Sequence, residues 1–349
     1  MSSPIIVDGH EDIAWNRLAL NRDLFESVLE KRTREGPQPA HGLGSATVGY
    51  PELMLGNVRI VFATLYVVPD RPDRVALGKA YSDPQQAHDQ AWEQLQYYLS
   101  LASDARVTMI TRRGDLDSVI NSPDPQLGVV VLMEGADPIV QPKDVLEWFN
   151  AGIRIVGPSW GKTRYAGGTG APGGLSQLGQ ELLAEMQRTG MVLDVSHMAE
   201  QSFFEALDLF HGPMIASHSN CRALVDTDRQ LSDEMIRALV LRDGVIGTVI
   251  SNRFLRAGWD MKMGKDTVGL EDVVRHIRHV CNLAGDTLHA AIGSDFDGGF
   301  GKESTPREID TIADLQKLDT VLSPDLSKLD VSNILGENWV RFLRRALPQ

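Results

Sequence analysis

Apolar residues fall in short continuous runs along the whole chain, and polar residues gather where those runs stop. Eight runs stand out: residues 4–9 (PIIVDG), 58–68 (VRIVFATLYVV), 128–134 (GVVVLME), 153–160 (IRIVGPSW), 191–197 (MVLDVSH), 213–219 (PMIASHS), 244–251 (GVIGTVIS) and 289–295 (HAAIGSD). Near-continuous apolar runs of this kind predict strands buried on both faces, as in a parallel sheet. Between them the apolar spacing turns helical. Residues 83–102 open on Asp83 as N-cap with Pro84 at the first helical position, and residues 176–190 begin at Ser176 and end at Gly190. Residues 232–244 have the same layout, from Ser232 to Gly244, and residues 269–285 and 334–347 are also helix-like. Strands alternating with helices predict an α/β fold, a closed (β/α)8 barrel of TIM type, with a doubly wound open sheet as the competitor. No composition shift or long internal repeat divides the chain. Residues 1–349 therefore read as a single barrel domain with loop insertions near 21–57 and 161–175, the second very rich in glycine.

Composition narrows this picture only in places. The 349 residues are 42% hydrophobic and 23% charged, enough for a sizeable core. A net charge of -13 argues against a nucleic-acid partner. Two cysteines, Cys221 and Cys281, exclude a disulfide framework and fit a reducing compartment. The N-terminus lacks a basic stretch followed by an apolar one, and the longest apolar runs fall short of the ~20 residues that span a bilayer. The chain reads as soluble and cytoplasmic, with no membrane partner.

Candidate chemistry sits at the strand ends, where α/β barrels carry their active sites. His10 and Asp12 follow the first run, Glu134 ends the third, His197 the fifth, His218 the sixth, and Asp295 and Asp297 the eighth. Residues i and i+2 of a strand share a face, so His10 and Asp12 can both point at one ion while Glu11 points away. Imidazole with carboxylate suits zinc or a similar divalent cation. Three histidines and three acids at one rim suffice for two metals, with Glu134 the best bridging carboxylate. Any one of these histidines alone reads as an ordinary capping residue. Taken together, three of the nine histidines fall at strand ends, and that coincidence gives the set its weight. His276 and His279 could share a helix face, but no carboxylate is arranged around them. The stretch GTGAPG (168–173) matches a dinucleotide-loop pattern, yet it contains Pro172 and follows no strand directly. Cys221 has no activating neighbour and reads as structural.

The motifs DGHEDIAW (8–15), LMEGAD (132–137), GMVLDVSH (190–197), PMIASHSN (213–220), DRQLSDE (228–234) and GSDFDGG (293–299) occur in this order. Together they resemble the renal-type membrane dipeptidase family of the amidohydrolase superfamily. The resemblance runs from residue 5 to GENWVRFL (336–343) and so covers nearly the whole chain. It implies a TIM-like barrel and a metallo-dipeptidase with two zinc ions, bridged by Glu134 and a hydroxide that attacks the amide carbonyl. The family's ligands fall on His10 and Asp12 for the first ion and on His197 and His218 for the second. Its carboxylate-gripping arginine falls on Arg229, and its proton-handling aspartate on Asp295. A small-molecule substrate and a homodimer are implied as well. One position departs: where the family often has a histidine that helps stabilise the oxyanion, this chain has Trp160, with one N–H donor and no cationic form. Either a neighbour such as Lys162 or Arg164 replaces it, or the substrate is another amide or a lactone, such as an N-acyl amino acid. A third possibility is that Trp160 packs against the barrel rim.

Overall fold

The computed structural model describes residues 4–39, 41–70 and 78–349. All eight apolar runs become strands: β1 Ile6–Glu11, β2 Val58–Tyr66, β3 Leu127–Glu134, β4 Ile153–Gly157, β5 Val192–Asp194, β6 Met214–Ile215, β7 Ile246–Thr248 and β8 Ala290–Ile292. They pair in parallel in the order β6-β5-β4-β3-β2-β1-β8-β7. A parallel bridge between Ala216 and Ile246 joins the two ends, so the sheet is a nearly closed barrel rather than an open one. An additional short strand, Val107–Met109, pairs with β3 outside this ring. Its three residues are too few to show a pattern in the sequence.

The predicted helices form with their expected caps. Asp83 accepts from Gln86 N at the start of Pro84–Leu101, and Ser176 accepts from Gly179 N at the start of Gln177–Thr189. Gly190 closes the second of these in the left-handed region, at φ 79°. The helix after Ser232 differs from expectation. It spans Asp233–Leu241 and stops before Gly244, and the residue with positive φ is Asp243. Gly244 serves packing instead, because a Cβ there would lie 2.9 Å from the Met214 carbonyl oxygen. The two predicted loop insertions also contain regular structure. Residues 21–57 include the helices Val28–Glu35 and Tyr50–Leu55, and the glycine-rich 161–175 stretch folds into a hairpin of Ala166–Gly168 with Ala171–Leu175. Gly167 lets the hairpin close, since a Cβ there would sit 2.6 Å from the Gly173 carbonyl oxygen.

Strand parity sorts the core into two shells. Val7, Ile60, Phe62, Val130, Leu132, Ile155, Val192, Ile215 and Ala291 pack together inside the barrel, while their strand neighbours pack outward against the helices. The C-terminal helix Asn338–Ala346 closes the floor. Its Trp339 meets Phe62 edge to face at 4.8 Å and donates its indole N–H to the Ile292 carbonyl at 2.8 Å. Above this layer the Ser217 backbone crosses close to three other strands. A Cβ on Gly247 or Gly293 would lie 2.0 Å from the Ser217 carbonyl oxygen, and one on Gly9 would lie 2.6 Å from it. Among the described residues, no helix is long and apolar enough to cross a membrane.

The Ser217 crossing holds the segment that carries His218. Gly293→Ala is therefore expected to destabilise the protein by about 1–3 kcal/mol in urea unfolding, the usual range for overpacking, and to weaken metal uptake. Gly114→Ala, on a helix where an added Cβ meets nothing within 4 Å, is the control and is expected to unfold no more easily than the parent.

Candidate metal centre

The strand ends deliver their side chains to one buried point at the barrel mouth. Donor atoms of His10, Glu134 and His218 all lie within 4.8 Å of one another, as do those of His10, Asp12 and Asp295. Glu134 is central: its Oε2 lies 3.7 Å from His10 Nε2, and its Oε1 lies 3.1 Å from His197 Nε2 and 3.3 Å from His218 Nε2. The rings of His10 and His218 stack at 3.6 Å. Asp295 Oδ1 lies 3.9 Å from His10 Nε2.

Strand alternation accounts for His10 but not for Asp12. β1 ends at Glu11, its register shifts between Asp8 and Glu11, and Asp12 is the N-cap of the helix Ile13–Leu20. Asp12 thus reaches the cluster from a turn, where Thr64 Oγ1 donates to its Oδ1. Glu11 turns away, as the pattern predicts: it is buried, its Oε1 accepts from Ser294 Oγ at 3.0 Å, and it lines a separate small cavity with Arg22 and Lys31.

A second layer fixes the histidine rings. Ser217 Oγ donates to Asp194 Oδ2 at 2.5 Å, so it accepts from His218 Nδ1 at 2.8 Å. That places the His218 proton on Nδ1 and aims the Nε2 lone pair at Glu134. Thr169 Oγ1, on the turn of the glycine-rich hairpin, lies 3.0 Å from His197 Nδ1. His197, Asp295 and Asp297 all adopt left-handed backbone, at φ 66°, 63° and 60°, an uncommon conformation that clusters at functional sites. Asp297 is an anchor rather than a simple turn cap. Its carboxylate accepts from Thr47 N and Oγ1, both at 2.8 Å, and from Val48 N at 3.2 Å, with Arg22 Nη1 at 3.7 Å. The 21–57 insertion is thereby tied to the segment carrying Asp295. Sequence reading missed the roles of Asp194, Ser217 and Thr169. Asp194 carried a usable signal, an acid inside an apolar run.

The electrostatics of the cluster call for a cation. Burial pushes all three histidines well below the usual imidazole range and keeps them neutral. Burial, with Asp12 and Asp295 adding, pushes the Glu134 carboxyl well up; burial and then Asp12 do the same for Asp295. Asp12 is raised to about 6, mainly by burial. Both ring nitrogens of His10 are buried without a hydrogen-bond partner. An imidazole lone pair facing a carboxylate oxygen is acceptor against acceptor, and a divalent ion between them satisfies both. The donors are nitrogen and oxygen with no thiolate, a set that fits zinc or another borderline divalent metal.

Arg229 is buried beside this centre. It donates to the His218 carbonyl at 2.7 Å and to Ser219 Oγ at 3.2 Å, while its Nε has no partner. Trp160 lines the mouth, edge to face with Tyr66 at 5.4 Å and 6.1 Å from the His197 ring. Arg164, one of two cations offered as a replacement at this position, is committed elsewhere: it donates to the Ile139 carbonyl at 2.9 Å and does not line the cavity. Lys162 does not line it either. The remaining candidates are structural. His276 Nδ1 accepts from Cys221 N at 3.1 Å, and burial lowers this ring to about 4; His279 pairs with Asp233 at 2.7 Å. Burial pushes the Cys221 thiol up, which removes it as a nucleophile.

A barrel with a histidine–carboxylate cluster at the C-terminal ends of its strands defines a metal-dependent hydrolase class. The family described as membrane dipeptidase (Peptidase family M19) matches residues 1–347, and the chain belongs to it: it is a metal-dependent metallo-dipeptidase of that family. Dipeptidase tcpJ of Claviceps purpurea is 28% identical over 347 residues, covering 97% of this chain and 76% of its own. An uncharacterised Klebsiella pneumoniae protein from the pqqA 5' region is 32% identical over 274 residues, covering 75% of this chain and 97% of its own. The crystal structure of the metallopeptidase dipeptidase AC superposes with a TM-score of 0.80 at 25% identity, covering 100% of both chains. A Rhodobacter sphaeroides metallopeptidase shares the fold, with a TM-score of 0.79 at 24% identity over 99% of this chain and 100% of its own.

Two outcomes are expected. Metal binding must expel the protons that raised carboxyl groups hold, whereas the histidines are already neutral. Affinity measured by calorimetry should therefore fall as pH drops through about 6, the value of Asp12, with no separate histidine step near neutrality. Asp297→Ala leaves the buried Thr47 and Val48 donors unpaired while Arg22 keeps Glu35; it should cost about 1–3 kcal/mol in urea unfolding and lower turnover, because the Asp295 segment loses its tether.

Proposed function

We propose that this chain is a zinc-dependent dipeptidase whose site would hold two ions, with Glu134 contributing to both. His10 and Asp12 would hold one ion, and His197 and His218 the other. The observation that carries the reading is the buried cluster of imidazole and carboxylate groups around Glu134, with both nitrogens of His10 unpartnered. Bound there, the ions supply an electrophile for the scissile carbonyl and a water that ionises near neutral pH.

The chain's own groups do the rest. Asp295 takes up the proton released as the nucleophile adds and returns it to the leaving amine. Burial and the Asp12 charge raise its proton affinity, which suits a group that must hold a proton briefly. Arg229 binds the substrate's C-terminal carboxylate. Its bonds to Ser219 and His218 orient the guanidinium, which lines the cavity. The dipeptidase names of the Claviceps purpurea relative and of dipeptidase AC support the substrate class. A cytoplasmic homodimer belongs to the same reading; it rests on the family resemblance and on the two free cysteines.

Trp160 favours a second reading, a related metal hydrolase acting on another amide or a lactone, because neither Lys162 nor Arg164 lines the cavity to take the place of the family's histidine. A panel of dipeptides, N-acyl amino acids and lactones separates the two.

Chelation is expected to abolish dipeptide hydrolysis, and added zinc to restore it. Asp295→Asn should lower kcat by about 10²–10⁴ with KM little changed, and Arg229→Met should act chiefly on KM. Undiminished turnover after the metal is shown to be gone would overturn the reading.

A further inference from the structure

The mouth of the barrel opens into a cavity of about 730 Å³. One arc of its wall is a continuous aromatic row. Trp15, just after β1, meets Tyr66, at the end of β2, edge to face at 6.1 Å. Tyr66 then meets Trp160, after β4, at 5.4 Å. Val68 and Leu43 extend the row, which packs as a cluster apart from the barrel core. Arg229 follows β6, and Phe254, whose ring lies 5.6 Å from its guanidinium, follows β7. In an eight-strand ring β2 and β6 are diametrically opposite, so the arginine and the aromatic row face each other across the Glu134 cluster.

We infer that the aromatic row is the subsite for the N-terminal side of the scissile bond and that it selects a large apolar side chain, aromatic or branched. The inference rests on the dipeptidase reading, since Arg229 holding the carboxylate sets the substrate's direction. A dipeptide so anchored, with its amide over Glu134, runs its N-terminal residue toward Tyr66 and Trp160. Of the charged groups lining the cavity, Asp12 and Glu134 sit on the floor, Glu303 stands beside Gly44 with its carboxylate held by Ser45 N and Oγ, and Arg229 and Arg253 follow β6 and β7, so the row itself offers a side chain apolar surface and ring edges. An aromatic side chain there gains buried area and edge-to-face contact. An acidic one would be desolvated beside other carboxylates, without a partner on the row. Trp160 then acts as a specificity residue in place of an oxyanion donor.

The test compares kcat/KM for dipeptides sharing one C-terminal residue and beginning with Phe, Leu, Gly or Asp. It uses zinc-loaded parent protein, Trp160→Ala and Trp160→Phe, with zinc content and melting temperature measured for each. The parent should favour Phe and Leu over Gly and Asp by about tenfold or more, in the range that a few methylenes in an apolar pocket can supply. Trp160→Ala should collapse that ratio, and Trp160→Phe should retain most of it. Cleavage of dipeptides with a preference for Gly or Asp, or a ratio unchanged in Trp160→Ala at equal zinc content, overturns the subsite and leaves the dipeptidase reading standing. No cleavage of any dipeptide overturns both.

Discussion

Three neutral imidazoles and three carboxylates meet at one buried point, and the buried cation facing them is Arg229. Such a cluster is a deficit of positive charge. It raises the carboxyl groups toward their protonated forms, leaves the His10 nitrogens without partners and turns lone pairs toward carboxylate oxygens. A packed interior does not sustain this arrangement for stability, because unpaired buried polar groups each cost about 1–3 kcal/mol. The site makes physical sense as a cradle for divalent cations, and the rest of the molecule keeps the cradle in shape.

The barrel performs that task by gathering these residues from five strand junctions: His10 and Asp12 after β1, Glu134 at β3, His197 after β5, His218 after β6 and Asp295 after β8. No single segment can move the cluster without moving its neighbours. Ser217 links the Asp194 carboxylate to His218, and the hairpin at 166–175 holds His197 through Thr169. Glycines at 9, 247 and 293 let the Ser217 backbone pass deep inside the ring. Left-handed backbone at His197 and Asp295 is uncommon for residues with side chains, and the surrounding bonds hold it. The same rigidity that places the histidines also places Arg229, whose Nη2 is bonded to the His218 carbonyl. Arg229 and His218 therefore share one support.

Much of this was legible along the chain. Each buried strand announced itself as an apolar run, because a parallel strand covered on both faces has no polar side to show. The candidate ligands were visible as polar residues interrupting the ends of those runs. Elements that depend on distant partners were not legible in the same way. The strand Val107–Met109 is too short to read, and the segment 161–175 looked like a loop because the glycines that let its hairpin close, such as Gly167, are also loop residues. Gly244 read as a helix terminator although its constraint is the Met214 carbonyl across the fold. The anchoring role of Asp297 was not legible because its partners, Thr47 and Val48, lie some 250 positions away in sequence.

The amino-acid sequence by itself determined the alternation of strands and helices, the residue types at the strand ends and the direction in which Glu11 turns. Those follow from local periodicity, which a short window contains. Tertiary structure alone decided that Asp12 reaches the centre from a helix cap, that Arg164 is drawn away to the Ile139 carbonyl and that Trp160 joins Tyr66 and Trp15 in one wall. Each of these is set by closing the ring, because only closure brings residues from β1, β2, β4 and β6 around a shared space.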